Sequence, residues 1–166
     1  MINPQLQKAL NEQVVNELSA SYSYLSISAA LAQLNLNGFA KWMRDHSEEE
    51  RTHAMKLFDF ILDRGGQIEL GIINAPEHKS GSARELVSAA LEHEKLVTGE
   101  INSLYQLALD TNDYPAQVML QWFIAEQVEE EKVTGDIVHQ LEMAGDNTSA
   151  LLLLDAKLEN QSGSPN

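Results

Sequence analysis

The chain has no cysteine. Disulfides, thiolate zinc sites and iron–sulfur clusters are thereby excluded. Proline (4) is scarce in 166 residues and aromatic residues make up only 6%, which suits a helical globular domain. Positive charge is scarce too: 11 Lys and Arg stand against 25 Asp and Glu, a formal net charge of −14. Such a surface repels nucleic acid and anionic membranes and attracts cations. No apolar run approaches the ~20 residues that span a bilayer. Met1-Ile2-Asn3-Pro4-Gln5 contains no basic segment leading into an apolar core, so no secretory signal is expected. The expectation is one soluble, cytoplasmic domain with neither nucleic-acid nor membrane partners.

What is present is helical rhythm. No strand alternation and no convincing repeat interrupts it. Pro4 suits a first helical turn, and the first helix should run to about Gln33, where Asn35-Leu36-Asn37-Gly38 breaks it. A second helix from about Phe39 ends at Gly65-Gly66. Gln67 to Gly81 has no helical period. Roughly 15 extended residues reach about 50 Å, enough to run the length of a helix and set the third helix parallel to the second. Leu70, Ile72 and Ile73 in that crossover are apolar and should be covered. Ser82-Ala83-Arg84-Glu85 is a capping box that opens the third helix. Asp113-Tyr114-Pro115 opens a fourth, which Ala144-Gly145 closes. A short fifth helix, about Thr148 to Leu158, holds Leu151-Leu152-Leu153-Leu154. Four adjacent leucines face all round a helix, which predicts burial between subunits. The fold class is therefore all-α: a four-helix bundle with a long crossover and a short fifth helix.

Each long helix carries an apolar seam, and each seam is interrupted halfway by groups that bind metals. In the first, Leu10, Val14, Glu17, Ser21, Tyr24, Ser28 and Leu31 share a face. In the second the face reads Phe39, Met43, His46, Glu50, His53, Leu57, Phe60. The third has Glu94 among Val87, Leu91, Thr98, Ile101, Tyr105 and Ala108; the fourth has Gln127 and Glu130 among Ala116, Leu120, Phe123, Thr134, Ile137 and Leu141. One such glutamate could be a misjudged phase, but four at one height are not. A purely structural layer of hydrogen-bonded polar groups is the bland alternative. Buried carboxylates without partners are strongly unfavourable. Four glutamates and one imidazole call for about two divalent cations, and oxygen donors with one nitrogen suit iron or manganese and admit zinc. His46, one turn from Glu50, reads as a core or supporting histidine rather than a ligand. His93 should face away from the seam toward solvent or an interface, and Trp42 and Trp122 read as packing residues. Glu49, Glu126 and Glu129 sit just off the seams, either as a solvated acidic face or as an outlying cation site.

Asn11-Glu12-Gln13, Glu17, Tyr24, Glu49-Glu50-x-x-His53-Ala54, Glu94, Asp113-Tyr114-Pro115, Gln121-Trp122 and Glu126-Gln127-x-Glu129-Glu130-Glu131 together carry a family signature. The chain resembles the bacterial non-haem ferritins over its length to about Leu158. Di-iron carboxylate bundles of this kind take a glutamate from each of two helices and Glu-x-x-His from each of the other two. Here the second pair is Gln127-x-x-Glu130, so the second iron would have only oxygen ligands and bind more loosely. The polar stretch 159–166, with Ser162-Gly163-Ser164-Pro165, reads as a flexible tail. The resemblance implies a single ferritin-like domain over residues 1–158 and a hollow homo-oligomeric shell of 24 subunits. It also implies iron storage with ferroxidase activity: Fe(II) oxidised by dioxygen or peroxide and stored as a ferric oxyhydroxide mineral. In that likeness Glu17, Glu50 and His53 hold the first iron, Glu50 bridges to a second held by Glu94 and Glu130, Gln127 lies beside the oxidant, and Tyr24 is a redox neighbour. Glu49, Glu126 and Glu129 match a third iron site. Arg51 stands where a bacterioferritin has its haem-ligating methionine, so no haem is expected. Absence of cysteine sets the chain apart from rubrerythrins, and the fifth helix sets it apart from the twelve-subunit ferritins. A small di-metal oxidase or peroxidase and a metal-free interaction protein are the rival readings.

Overall fold

The structure, a computed structural model, describes residues 2–77 and 80–161. Among them are five helices in the order expected: α1 (Pro4–Gln33), α2 (Asn37–Asp63), α3 (Ala83–Asp110), α4 (Tyr114–Ala144) and α5 (Thr148–Gln161). No strand occurs among the described residues. Local chemistry explains the boundaries. Asn3 caps α1, its side chain accepting from the backbone N–H groups of Gln5 and Leu6. Ser82 and Glu85 form the reciprocal capping box of α3. Asp113 caps α4, accepting from Ala116 N at 3.1 Å. Asn35 and Asn112 adopt left-handed backbone (φ 59° and 52°) in the short turns after α1 and α3, a conformation asparagine tolerates better than most residues.

Short turns fold α1 against α2 and α3 against α4 as two antiparallel hairpins. Arg64, just past α2, makes a bidentate pair with Asp113 at the α3–α4 turn, Nη1–Oδ1 2.7 Å and Nη2–Oδ2 3.0 Å. The C-terminal ends of α2 and α3 therefore meet at one end of the bundle, and the two helices run parallel. That is what the crossover's length demanded. The crossover lies along α1, where Asn11 donates to Gln67 O (2.9 Å) and accepts from Glu69 N (2.9 Å). This side-chain amide takes the place of the strand partner that the extended segment lacks.

The core divides in two. One apolar cluster holds Tyr24, Leu31, Phe39, Met43, Val87, Leu141 and Leu158. The other holds Leu6, Leu10, Leu57, Ile61, Ile101, Leu120 and Phe123. Between them lies the polar layer. The seam of α4 is buried at all eight expected positions. The α2 seam holds from Phe39 to Leu57, but Ile61 is fully buried where Phe60 was expected. A strict 3.5-residue step drifts from the 3.6-residue helix by about 20° per heptad.

Two boundaries differ from expectation. Gly38 does not break a helix; it lies in the first turn of α2, which starts at Asn37. A Cβ there would lie 1.8 Å from the carbonyl oxygen of Asp155, so glycine permits close approach of α5. Asp155 Oδ1 in turn accepts from Phe39 N at 2.9 Å, capping α2 from another helix. The fifth helix also runs past Leu158, where it was expected to end. α5 continues to Gln161 because no glycine or proline intervenes before Gly163, and residues 162–166 lie outside the described part. Among the described residues, Leu70 and Ile72 of the crossover are 60% and 87% exposed, as are Leu152 and Leu153 of α5 at 53% and 73%, which leaves them open to the expected contact with another subunit.

Gly38→Ala should destabilise the protein by about 1–3 kcal/mol, the usual cost of overpacking a tight contact. The better helix propensity of alanine, about 0.5–1 kcal/mol, does not offset a clash with backbone. Denaturant unfolding checks this, and an unchanged midpoint would show that α5 is not seated on Gly38.

Candidate metal centre

The polar layer is built by seven side chains from four helices. Glu17 and Tyr24 come from α1, His46, Glu50 and His53 from α2, Glu94 from α3 and Glu130 from α4, and each is buried. Glu17, Glu50 and His53 can each offer one ligand atom within 4.8 Å of the others. His53 Nδ1 lies 3.4 Å from Glu50 Oε2, as the three-residue spacing on one helix requires. Glu130 falls in two further groups of the same tightness, one with His46 and Glu49 and one with His53 and Glu126.

Two of the carboxylates accept hydrogen bonds from neighbouring side chains. Gln13 donates to Glu17 Oε1 at 3.0 Å and to Glu100 Oε2 at 3.2 Å. The Tyr24 hydroxyl makes a very short hydrogen bond to Glu94 Oε1. The Gln127 amide donates to Glu94 Oε2 at 3.2 Å and to the Glu94 carbonyl at 3.2 Å. Glu17 Oε2 is left buried without a hydrogen-bond donor among the described residues. Phe123 and Trp122 set their rings edge-on to His53, with centroids 5.9 and 5.4 Å away.

The charges here oppose one another. Burial, then the charge of Glu50, pushes the Glu17 carboxyl well above its ordinary value. Burial and then Glu94 do the same to Glu50. Burial raises Glu94 despite the hydrogen bonds from Tyr24 and Gln127. Glu130 differs: burial disfavours its charge, but His46 at 3.2 Å outweighs that and holds the carboxyl low. Burial works against the His46 imidazolium, yet Glu130, then Glu49 and Glu94, raise it overall. Burial also lifts the outlying Glu49 and Glu126. These are donors that keep protons in one another's company and would release them to a divalent cation.

The ferritin family model, described as a ferritin-like domain, matches residues 7–144. The chain belongs to the ferritin family. It is 35% identical over 158 residues to the bacterial non-heme ferritin of Escherichia coli O6:H1, covering 95% of this chain and 96% of the relative. It is 36% identical over 162 residues to a probable bacterial non-heme ferritin-like protein of Haemophilus influenzae, covering 98% of each. Among solved structures, an open pore ferritin from the archaeon Archaeoglobus fulgidus superposes with a TM-score of 0.94 at 38% identity, over 96% of this chain and 98% of that one. A humanized archaeal ferritin gives 0.96 at 39% identity, over 99% and 100%.

Seen against this ferritin's sequence, the expected ligands are not all equally grouped. Glu17, Glu50 and His53 converge. Glu130 is present but turns toward α2, and Glu94 joins Tyr24 and Gln127 rather than a group of three metal donors. Of the outlying trio, Glu49 and Glu126 each approach Glu130 with a histidine, whereas Glu129 is exposed and belongs to no such group among the described residues. His46, expected as a core or supporting histidine, has Nδ1 facing Trp42 O at 3.2 Å and Nε2 facing Glu130, and it also stands in a group that could hold a metal ion. His93 is not turned to solvent. It is half-buried, its Nδ1 3.3 Å from the Tyr24 hydroxyl, because the tyrosine reaches across the α1–α3 contact. Trp42 is buried and packs at a tilt against His46, ring centroids 4.5 Å apart; Trp122 is partly exposed beneath Lys56 Nζ at 4.1 Å. Gln13 was not foreseen as part of the site. Its position one turn before Glu17 was the available signal.

The raised carboxyls set the pH dependence of the metal-free protein. A group whose folded pKa lies above its unfolded value stabilises the fold at low pH. That stability declines as pH rises from the unfolded value of about 4.5 through the folded one. Metal-free protein should therefore melt at a lower temperature at pH 8 than at pH 6. Glu50→Gln should raise the pH 8 midpoint by several degrees and flatten the slope. Calorimetry without metal decides it, and an equal or steeper slope in the variant would contradict the assignment.

Proposed function

We propose that this ferritin binds Fe(II) as its substrate in the polar layer, oxidises it, and stores the product. The observation that supports this reading is the burial, at one height of an apolar bundle, of carboxylates and imidazoles from all four helices. Burial raises three of the carboxyls, and Glu17 Oε2 has no hydrogen-bond donor among the described residues. Oxygen donors with a minority of nitrogen suit iron. On this reading Glu17 and His53 take one ion, Glu50 lies between two, and Glu94 and Glu130 take the second, with Gln127 and Tyr24 beside it. Glu49 and Glu126, with Glu129 further out, would hold a third ion in transit.

The chemistry balances simply. Two Fe(II) give up one electron each, and dioxygen takes both with two protons to leave hydrogen peroxide. The protein's part is to hold the ions together and to supply acidic and basic groups at fixed positions; the redox change belongs to the metal and the oxidant. Fe(III) is then hydrolysed and collects as a ferric oxyhydroxide mineral within a homo-oligomeric shell of 24 subunits. The exposed Leu70, Ile72, Leu152 and Leu153 support assembly, since such residues on one chain mark contact surfaces. The reading places the protein in the cytoplasm, and no helix among the described residues is long and apolar enough to cross a membrane. No haem enters the scheme.

Size-exclusion chromatography should give a large shell, and Fe(II) added in air should produce a lasting amber mineral with many irons per subunit. A monomer or dimer that saturates at two irons would favour a di-metal oxidase instead. Glu130→Ala should slow initial Fe(II) oxidation by one to two orders of magnitude with the shell intact; an unchanged rate would remove Glu130 from the centre. Glu49→Ala and Glu129→Ala should alter iron stoichiometry rather than stability. Given the geometry, Glu49 should matter more, and binding of three irons unaltered in both variants would dismiss the third site.

A further inference from the structure

Helix α4 turns two different faces toward its neighbours at the height of the polar layer. Glu126 and Glu130 face α2, where they meet His53, His46 and Glu49. One residue on, Gln127 and Glu131 face α3. Beside them the surface between α3 and α4 is hollowed into a groove of about 310 Å³.

The walls of that groove are aliphatic: Ile101 from α3, Ile124 and Val128 from α4. The remaining lining is polar and includes one carboxylate, Glu131. There the Gln127 amide donates to Glu94 and, at 3.4 Å, to the Thr98 hydroxyl. Thr98 passes its own hydrogen to Glu131 Oε1 at 2.5 Å. Asn102 completes the lining. The groove thus ends on a side chain in contact with a carboxylate of the centre. The lining holds a single carboxylate, and one of its oxygens is already engaged.

We infer that the α3–α4 groove is the path by which dioxygen, a neutral and apolar oxidant, reaches the centre, while cations use the acidic α2–α4 face. The inference rests on the function proposed above. A divalent ion would have to shed water against aliphatic walls and a lining with one carboxylate, already hydrogen-bonded to Thr98, a costly transfer. Dioxygen has little hydration to lose and prefers such surroundings. The ion has a better door on the other face of α4, where Glu49 and Glu126 stand outside Glu130 and the histidines. Separate approaches would let metal loading and oxidant arrival proceed without competition for one opening.

Val128→Trp and Asn102→Trp fill the groove from opposite sides without touching a ligand. The dioxygen concentration giving half-maximal Fe(II) oxidation should rise several-fold in each, with the rate at saturating dioxygen little changed. Co(II) bound in place of Fe(II), followed by its visible absorption, should load at the parent rate and stoichiometry in both variants and in Glu131→Gln. Crystals under xenon pressure should show the gas between Ile101, Ile124 and Val128 in the parent and not in Val128→Trp. Unchanged dioxygen dependence in both tryptophan variants overturns the inference. So does slowed Co(II) loading in Glu131→Gln or the tryptophan variants, which would make the groove the cation's entrance. If the parent loads Co(II) but never oxidises Fe(II), the proposed function falls instead, and absence of xenon from the groove would overturn the route on its own.

Discussion

Everything in this molecule accommodates the burial of mutually repelling carboxylates in the middle of an apolar bundle. Removing one carboxylate from water is costly, and placing several side by side compounds the cost. The helices tolerate it because apolar clusters close the layer on both sides and set the four backbones rigidly. Gln13, Tyr24 and Gln127 then supply hydrogen bonds to the acids, but not enough to satisfy them all. Supporting contacts orient the donors and leave a deficit that a cation can fill. That is the difference between a polar layer that only specifies packing and one that binds.

The layer is also uneven. His46 sits against Glu130 and favours a charged pair, whereas Glu17, Glu50 and Glu94 are driven toward their protonated forms. The two sides of the layer thus place their carboxyls in different electrostatic surroundings, one set by burial and mutual repulsion and the other by a neighbouring imidazole.

The fold and the composition of the layer were legible because long, unbroken helices repeat faithfully. The α4 seam from Ala116 to Leu141 could be read position by position, and Glu130 stood out as an acid among apolar neighbours. What escaped is what period alone cannot encode. His93 lies next to Glu94 and so off the seam, yet Tyr24 is long enough to reach it from α1. Gly38 looks like a breaker when only its own helix is considered; its purpose lies 117 residues away in Asp155, a contact that depends on where α5 returns. The tilt of Glu130 toward His46 and Glu126, rather than toward Glu94, is a matter of rotamer, which spacing does not set.

The crossover and α5 share one physical situation. Both are fastened to the bundle by directional contacts, Asn11 to Gln67 and Glu69 in one case and Asp155 to Phe39 in the other. Both then present leucine or isoleucine outward. Fixing an apolar surface in place removes its freedom to fold back and cover itself, so its remaining route out of water is another molecule. A formal charge of −14 opposes that association at long range, but screening confines the repulsion to about 10 Å at ordinary salt, while apolar contact acts where surfaces touch. A closed assembly, as proposed above, would bury every patch and expose none to further growth. The same charge favours cations near the protein, and its buried layer holds groups that could bind them.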